Sequence, residues 1–96
     1  MIFNERIKQL REERQIPQRK LAAAMDIDTA SYCKIEKGER RARKEYLPII
    51  AEILHTNYEE LLKLWLADQV TALVEGEKQF SDEVLKLAKE NINSKK

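Results

Sequence analysis

Five residues near the middle of the chain have a spacing that places them on one face of a helix. They stand at i, i+1, i+4, i+5 and i+8: Thr29, Ala30, Cys33, Lys34 and Lys37. Three arginines follow at positions 40, 41 and 43. Such a face offers hydrogen-bond donors and methyl groups at close range, and arginines bind anionic oxygens such as those of phosphates. The predicted chemistry is non-covalent recognition of a polar, negatively charged surface.

Two short helices joined by a tight turn must position this face. Pro17 suits the start of the first, and residues 18–25 (QRKLAAAM) are typical of a helix that another helix approaches closely. Asp28 is a good N-cap for a second short helix over residues 29–37, and Gly38 is suited to end it. This order predicts a helix-turn-helix, in which the second helix enters a DNA major groove about 12 Å wide with a small, polar outer face.

Apolar spacing supports this arrangement and predicts the rest of the fold. Tyr32 and Ile35 lie opposite the polar face and would anchor the second short helix to the core. Four further helices are predicted over residues 4–15, 45–54, 58–75 and 82–91, with Asn4, Asn57 and Ser81 as N-caps and Gly76 as a helix end. We therefore expect an all-α protein: a compact five-helix helix-turn-helix domain with an extra C-terminal helix.

The composition indicates a single compact unit and excludes several classes of protein. The 96 residues contain only two glycines, two prolines, one cysteine and one histidine. A single cysteine cannot form an internal disulfide framework, and one cysteine with one histidine is too few for a zinc site, so no metal or other cofactor is implied. No apolar run approaches the roughly 20 residues of a membrane span, and the N-terminus has no signal-peptide core. We expect a cytoplasmic location.

The formal net charge of +1 conceals an asymmetry between the two halves of the chain. Residues 1–44 contain 12 Lys and Arg against 7 Asp and Glu, a net charge of +5. Residues 45–96 contain 6 lysines against 10 acids, a net charge of −4. The asymmetry points to a basic functional face and an acidic remainder, and the simpler alternative is a helical surface that is merely rich in charge.

The helix-turn-helix segment resembles the Xre family of bacterial and phage regulators, which includes the phage Cro and repressor DNA-binding domains. The resemblance rests on QRKLA at residues 18–22, MDID at 25–28 and YCKIEKG at 32–38, and it extends to Leu62. Asp26 stands where the family commonly has glycine, and aspartate can also adopt the left-handed conformation. The resemblance implies a repressor-like fold and a sequence-specific transcriptional regulator. We expect it to bind a (pseudo)palindromic operator as a homodimer, because two arms that read half-sites raise both affinity and specificity.

The resemblance also implies roles for individual residues. It assigns the reading of base edges to Thr29, Ala30 and Lys34, with Cys33 beside them. It assigns phosphate binding to Gln18, Lys37, Arg40, Arg41 and Arg43. Glu36 and Arg11 resemble the internal ion pair of the family. The alternatives are a solvated loop for the arginines, an exposed helix residue for Gln18, and a spectator or a redox sensor for Cys33.

The predicted helix over residues 58–75 is more apolar than one buried stripe requires, so it should be buried on more than one side. We therefore divide the chain into a DNA-binding domain, residues 1–66, and a C-terminal extension, residues 67–96, that packs on the same core and dimerises. The residues expected at the dimer interface are Leu64, Trp65, Val70, Leu73, Val74, Phe80 and Val84.

Two alternatives accompany the regulator. One is the antitoxin of a toxin–antitoxin pair, which would bind a toxin protein through its apolar C-terminal half as well as DNA. The other, a special case of the regulator, is a compact controller of a restriction–modification operon. An enzyme is not expected, because His55 has no convincing nucleophile as a partner and the paired acids are adjacent in sequence, where they do not face each other on a helix.

Overall fold

Six α-helices and two 3-10 segments make up the protein in the computed structural model, which describes residues 1–94. The predicted all-α fold is confirmed. Lys95 and Lys96, the end of the predicted C-terminal extension, lie outside the described residues. A helix long and apolar enough to cross a membrane does not occur among residues 1–94. The helices are α1 (Ile2–Glu13), α2 (Gln18–Ala24), α3 (Thr29–Glu36), α4 (Leu47–Leu54), α5 (Tyr58–Val74) and α6 (Ser81–Asn93), with 3-10 segments at Lys44–Tyr46 and Glu75–Phe80.

The turn between α2 and α3 joins the two helices in the order that the helix-turn-helix prediction requires. Asp26 adopts the left-handed conformation with a φ of 57°, which a short polar side chain tolerates by local hydrogen bonding. Asp28 caps α3, since its carboxylate accepts the backbone N–H of Ser31 at 2.7 Å. Both helices end one residue before their predicted ends, within the usual variation at helix termini.

One hydrophobic core lies between α1, α2, α3, α4 and the first half of α5. Tyr32 and Ile35 anchor α3 to it, as predicted. The largest fully buried side chains are Tyr32, Ile7, Leu21, Leu47, Ile50, Leu54 and Leu61. Burying a large apolar side chain stabilises the fold by about 1.5–3 kcal/mol, so these side chains account for much of the stability of the domain.

The N-terminus of α1 differs from the prediction. The helix begins at Ile2, so Asn4 lies inside its first turn and does not cap it. The cap comes from α5, where the Asp68 carboxylate accepts the backbone N–H groups of Ile2 at 3.0 Å and Phe3 at 2.9 Å. The Asn4 amide instead donates to the Glu36 carbonyl at the end of α3, at 2.9 Å. A side chain distant in sequence has replaced the local cap.

Gly38 follows α3 in the left-handed conformation that the prediction requires, with a φ of +78°. A Cβ atom at this position would lie 3.2 Å from Asn4 Nδ2, closer than side chains normally approach. Glycine is therefore favoured by its backbone angle, and a Cβ atom here would also force the Asn4 side chain to shift.

Three helix ends were predicted in the second half of the chain, of which one is confirmed and two are wrong. Asn57 caps α5 as predicted, because its side chain accepts the N–H of Glu60 at 3.1 Å. The α-helix ends at Val74, and Gly76 lies inside the 3-10 segment that follows. The Ser81 hydroxyl donates to the Lys78 carbonyl at 3.0 Å and does not cap α6. Both predictions assumed that one α-helix ends at Gly76 and that another begins after Ser81. A 3-10 segment instead joins α5 directly to α6.

Burial of α5 is limited to its first half. Leu61 is its one fully buried residue, and Leu62, Leu64 and Trp65 pack on the edge of the core. Beyond Trp65 the apolar side chains become exposed, and Leu73 is 82% exposed. The expectation that α5 is buried on more than one side is therefore wrong for a single chain. The reason is that α6 packs on the 3-10 segment and contributes no residue to the core.

Candidate nucleic-acid interface

The outer face of α3 presents the side chains that the sequence places there. Thr29, Ala30 and Lys34 are exposed, whereas Cys33 is half-buried. The Asp28 cap holds the first turn of this face, and the hydrogen bond from Ser31 lowers the pKa of the Asp28 carboxyl. The exposed surface is thus small and polar, and it starts at a well-defined helix end.

The inner face of α3 is held by a buried ion pair. Arg11 donates two hydrogen bonds to the Glu36 carboxylate, at 2.6 Å and 3.1 Å, and a third to the Ile16 carbonyl at 2.9 Å. The side chains are only 13% and 2% exposed. One guanidinium therefore connects α1, the loop before α2 and the end of α3, in the pairing that the family resemblance implies.

The pKa values at this pair reflect both burial and hydrogen bonding. Burial alone would raise the pKa of Glu36, but Arg11, the nearby Tyr32 hydroxyl and Gln18 together outweigh it, so the pKa lies below its usual value. The hydrogen bond to Glu36 raises the pKa of Arg11. Burial also raises the pKa of Tyr32, and the neighbouring Glu36 carboxylate raises it further. All three groups keep their usual charge at neutral pH.

Gln18 links the start of α2 to the middle of α3. Its amide Nε2 donates to Glu36 at 3.2 Å, and its Oε1 accepts the thiol of Cys33 at 3.0 Å. The amide has a second N–H, and the side chain is half-buried. Gln18 therefore contacts α3 from the start of α2, and one N–H donor of its amide remains for an anion.

The basic segment after α3, residues 39–43, begins in a tight hydrogen-bonded turn. The N–H groups of Glu39 and Arg40 both donate to the Lys34 carbonyl, at 2.9 Å and 3.3 Å. The first of these bonds is that of a Schellman motif with Gly38 at its left-handed position. The turn fixes the start of the segment relative to Lys34. All four predicted phosphate-binding cations of α3 and this segment are exposed: Lys37, Arg40, Arg41 and Arg43.

Two residues near the site were missed or given another role by the sequence reasoning. Trp65, expected at a dimer interface, donates its indole N–H to the Ala42 carbonyl at 2.8 Å, next to Arg41 and Arg43. Asp68, given no role, caps α1. The one available signal was the indole N–H, because a partly buried tryptophan normally needs an acceptor.

The expected dimer residues lie in two environments. Leu64 and Trp65 pack on the edge of the core of their own chain. The other five lie on the second half of α5, the 3-10 segment and α6, where four are exposed and Val74 is half-buried. Val70 and Val74 line a cavity of about 250 Å³ together with Leu85 of α6. The second half of α5, the 3-10 segment and α6 therefore carry a largely uncovered apolar surface.

The part of the chain that the structure describes contains no group of three or more His, Cys, Asp or Glu residues placed to hold a metal ion.

Comparison with known proteins places this geometry in a family. Residues 7–61, more than half of the chain, match a family model described as helix-turn-helix. The match spans α2, α3 and the ion pair, and it ends in the first half of α5. Comparisons with curated proteins and with solved structures gave no match. The chain therefore belongs to the Cro/C1-type, Xre-like helix-turn-helix family of DNA-binding transcription regulators.

Proposed function

We propose that the protein is a sequence-specific regulator that reads an operator with the outer face of α3. The observation that carries this proposal is the contrast between the two faces of that helix. Tyr32, Ile35 and Glu36 are buried on the inner face, while small and polar side chains are exposed on the outer one. A rigidly held helix with such a face meets the requirements of the major groove.

The base-reading residues of the proposal are Thr29, Ala30 and Lys34. Lys34 donates to guanine O6 or N7, Thr29 hydrogen-bonds a base or contacts a thymine methyl, and Ala30 packs on such a methyl. All three are exposed on one helical face. Cys33 lies beside them, is half-buried, and has its thiol hydrogen-bonded to Gln18, which makes it the least accessible of the four.

Phosphate binding is the role of the residues around α3. The second N–H of Gln18 donates to one phosphate, and Lys37, Arg40, Arg41 and Arg43 contact the backbone beyond the end of α3, with one arginine entering the minor groove. Arg43 stays available for a phosphate, because its ion pair with Glu45 is long, at 4.0 Å, and both side chains are mostly exposed. An exposed ion pair of this kind contributes little.

The proposed regulator acts as a homodimer on a (pseudo)palindromic operator. Two copies related by a two-fold axis would place their α3 helices in successive major grooves, about 34 Å apart. The uncovered apolar surface of α5 and α6 supports dimerisation through the C-terminal extension, because an exposed apolar face of this kind is typical of a protein–protein interface. The division at residue 66 and the interface residues given above are parts of this proposal.

Selection of binding sites from a pool of random duplex DNA tests the proposal most directly. We expect the selected sequences to contain two inverted half-sites whose centres are 10–10.5 base pairs apart, or a multiple of that spacing. A single half-site would contradict dimeric binding, and failure to enrich any sequence would contradict sequence-specific recognition. Occurrence of the selected sequence upstream of a methyltransferase gene would favour the restriction–modification controller.

The antitoxin alternative has one observation in its favour. The exposed apolar residues of α6, including Leu85, Leu87 and Ile92, lie away from α3 and its basic segment in sequence and contribute nothing to the core. They would suit a second protein as well as a second copy of the chain. Expression together with the neighbouring gene product, followed by purification, separates the two: a stable heteromer supports the antitoxin and a homodimer supports the regulator.

A further inference from the structure

The basic segment is held from outside the helix-turn-helix. The indole N–H of Trp65 on α5 donates to the Ala42 carbonyl at 2.8 Å. The Ala42 side chain is buried, with 3% of its surface exposed, while Arg41 and Arg43 on either side are exposed. Arg43 has extended backbone angles, φ −71° and ψ 148°. The burial of Ala42 between two exposed arginines shows that its side chain faces the core while the side chains of Arg41 and Arg43 face outward.

We infer that Trp65 is a positioning residue for DNA binding, which holds Arg41 and Arg43 toward the phosphates through the Ala42 carbonyl. The inference rests on the proposed function, because it assumes that these arginines bind phosphate. Trp65 contacts no DNA in this arrangement. It also lies beyond residue 61, where the family match ends.

The hydrogen bonds around the segment show why such a contact matters. One end of the segment is fixed by the bonds of Glu39 and Arg40 to the Lys34 carbonyl, and the Trp65 contact fixes the other end. A segment ordered before binding does not lose conformational freedom when it meets DNA. Without the Trp65 contact the arginines are no longer held toward the phosphates, so one phosphate contact is lost and binding weakens even though both arginines are still present.

Replacing Trp65 by phenylalanine tests the inference, since a large aromatic ring remains and the N–H donor is lost. Ile53→Val is the matched control, because it makes a small change in a partly buried residue of α4 at the edge of the core. Binding to the selected operator and to an unrelated duplex is measured by fluorescence anisotropy between 50 and 200 mM salt, with folding checked by circular dichroism. We expect Trp65→Phe to bind both duplexes about 3- to 10-fold more weakly.

The salt dependence separates positioning from general destabilisation. Loss of one phosphate contact makes the slope of log affinity against log salt shallower by about 0.9, and a folded but merely less stable protein keeps the slope of the parent. We expect the shallower slope for Trp65→Phe and the parental slope for Ile53→Val. Parental affinity and slope for Trp65→Phe would overturn the inference and leave the proposed function intact. A parent that binds neither duplex would overturn the proposed function, and the inference with it.

A second measurement on the parent protein decides the question if the variant fails to fold. Trp65 is the one tryptophan of the chain, so a single indole N–H resonance is expected in the proton NMR spectrum. We expect this proton to exchange slowly with solvent and its resonance to move when duplex DNA is added. A rapidly exchanging proton, or a resonance that DNA leaves in place, would contradict the inference.

Discussion

The Asp68 carboxylate on α5 accepts the backbone N–H of Phe3 at 2.9 Å, across 65 residues of sequence. The same carboxylate accepts the N–H of Ile2, so one side chain satisfies two of the free N–H groups at the start of α1. The Asn4 side chain then connects the first turn of α1 to the end of α3. The helix that leads into the C-terminal extension is therefore connected through α1 to the helix proposed to read DNA.

Removing this cap should destabilise the fold. We expect Asp68→Ala to lower the free energy of unfolding by about 1–2 kcal/mol, the usual effect of losing a helix N-cap, as measured by urea denaturation. Asp68→Asn should have a smaller effect, because one acceptor oxygen remains. Glu59→Gln, an exposed residue in the first turn of α5, is the control. Equal stability of Asp68→Ala and the parent would contradict the capping role.

The pair of Arg11 and Glu36 should contribute more than any surface ion pair of this chain. We expect Glu36→Gln to lower the free energy of unfolding by about 3 kcal/mol, because it leaves a buried guanidinium without its counter-charge. Arg6→Gln, which removes the more exposed pair with Glu60, should cost less than about 1 kcal/mol. Urea unfolding of both variants measures the difference, and similar losses would argue against a structural role for Glu36.

Acid should destabilise the protein through the same carboxylate. The pKa of Glu36 lies below its usual value in the folded chain, whereas in the unfolded chain it is about 4.3. The folded state thus binds the proton less readily, so the stabilisation is fully present above about pH 5 and is lost as the pH falls through the folded pKa. Asp28 acts in the same direction.

Unfolding by urea between pH 7 and pH 3 measures this dependence. We expect stability to be nearly constant down to about pH 5 and to decline below it. The decline should be smaller in Glu36→Gln, which has no proton to gain at this position. An unchanged decline in that variant would assign the acid sensitivity to other carboxylates.

Base reading and phosphate binding should respond differently to mutation. We expect Lys34→Ala to lose about 1–3 kcal/mol of discrimination at one base pair of each half-site. Arg41→Ala should weaken binding to all duplexes alike and make the salt dependence shallower. Lys63→Ala, on α5, is the matched control for loss of one exposed charge. Titration of operator, mutated operator and unrelated duplex distinguishes these outcomes, and loss of discrimination in Arg41→Ala instead of Lys34→Ala would reverse the assignments.

The proposed dimer should be sensitive to charge on its apolar surface. Leu73 is 82% exposed in the single chain, so Leu73→Lys should leave the monomer fold almost unchanged and place a charge in the interface. We expect light scattering to show a concentration-dependent mass for the parent and a monomer mass for the variant. A parent that is a monomer at every concentration would contradict the dimer.

Much of the helix-turn-helix could be predicted because its signals are local. Asp28 caps the helix that follows it directly, and Gly38 takes the left-handed conformation at the end of the same helix. The alternation of Tyr32 and Ile35 with the exposed residues of α3 is a property of helical spacing alone. These features depend on residues within a few positions of each other, so the sequence contains all the information they need.

The tertiary structure decided the contacts between residues that are distant in sequence. Asp68 caps α1 in place of Asn4, and the indole N–H of Trp65 donates to the Ala42 carbonyl. The apolar composition of α5 predicted burial, but the core ends at Trp65 and α6 does not extend it. The residue types and spacing of α3 alone determined which side chains are available to recognise DNA. Which backbone groups α5 contacts depends on how whole helices pack. Hydrogen bonds between residues so far apart in sequence leave no periodic pattern from which they could be predicted.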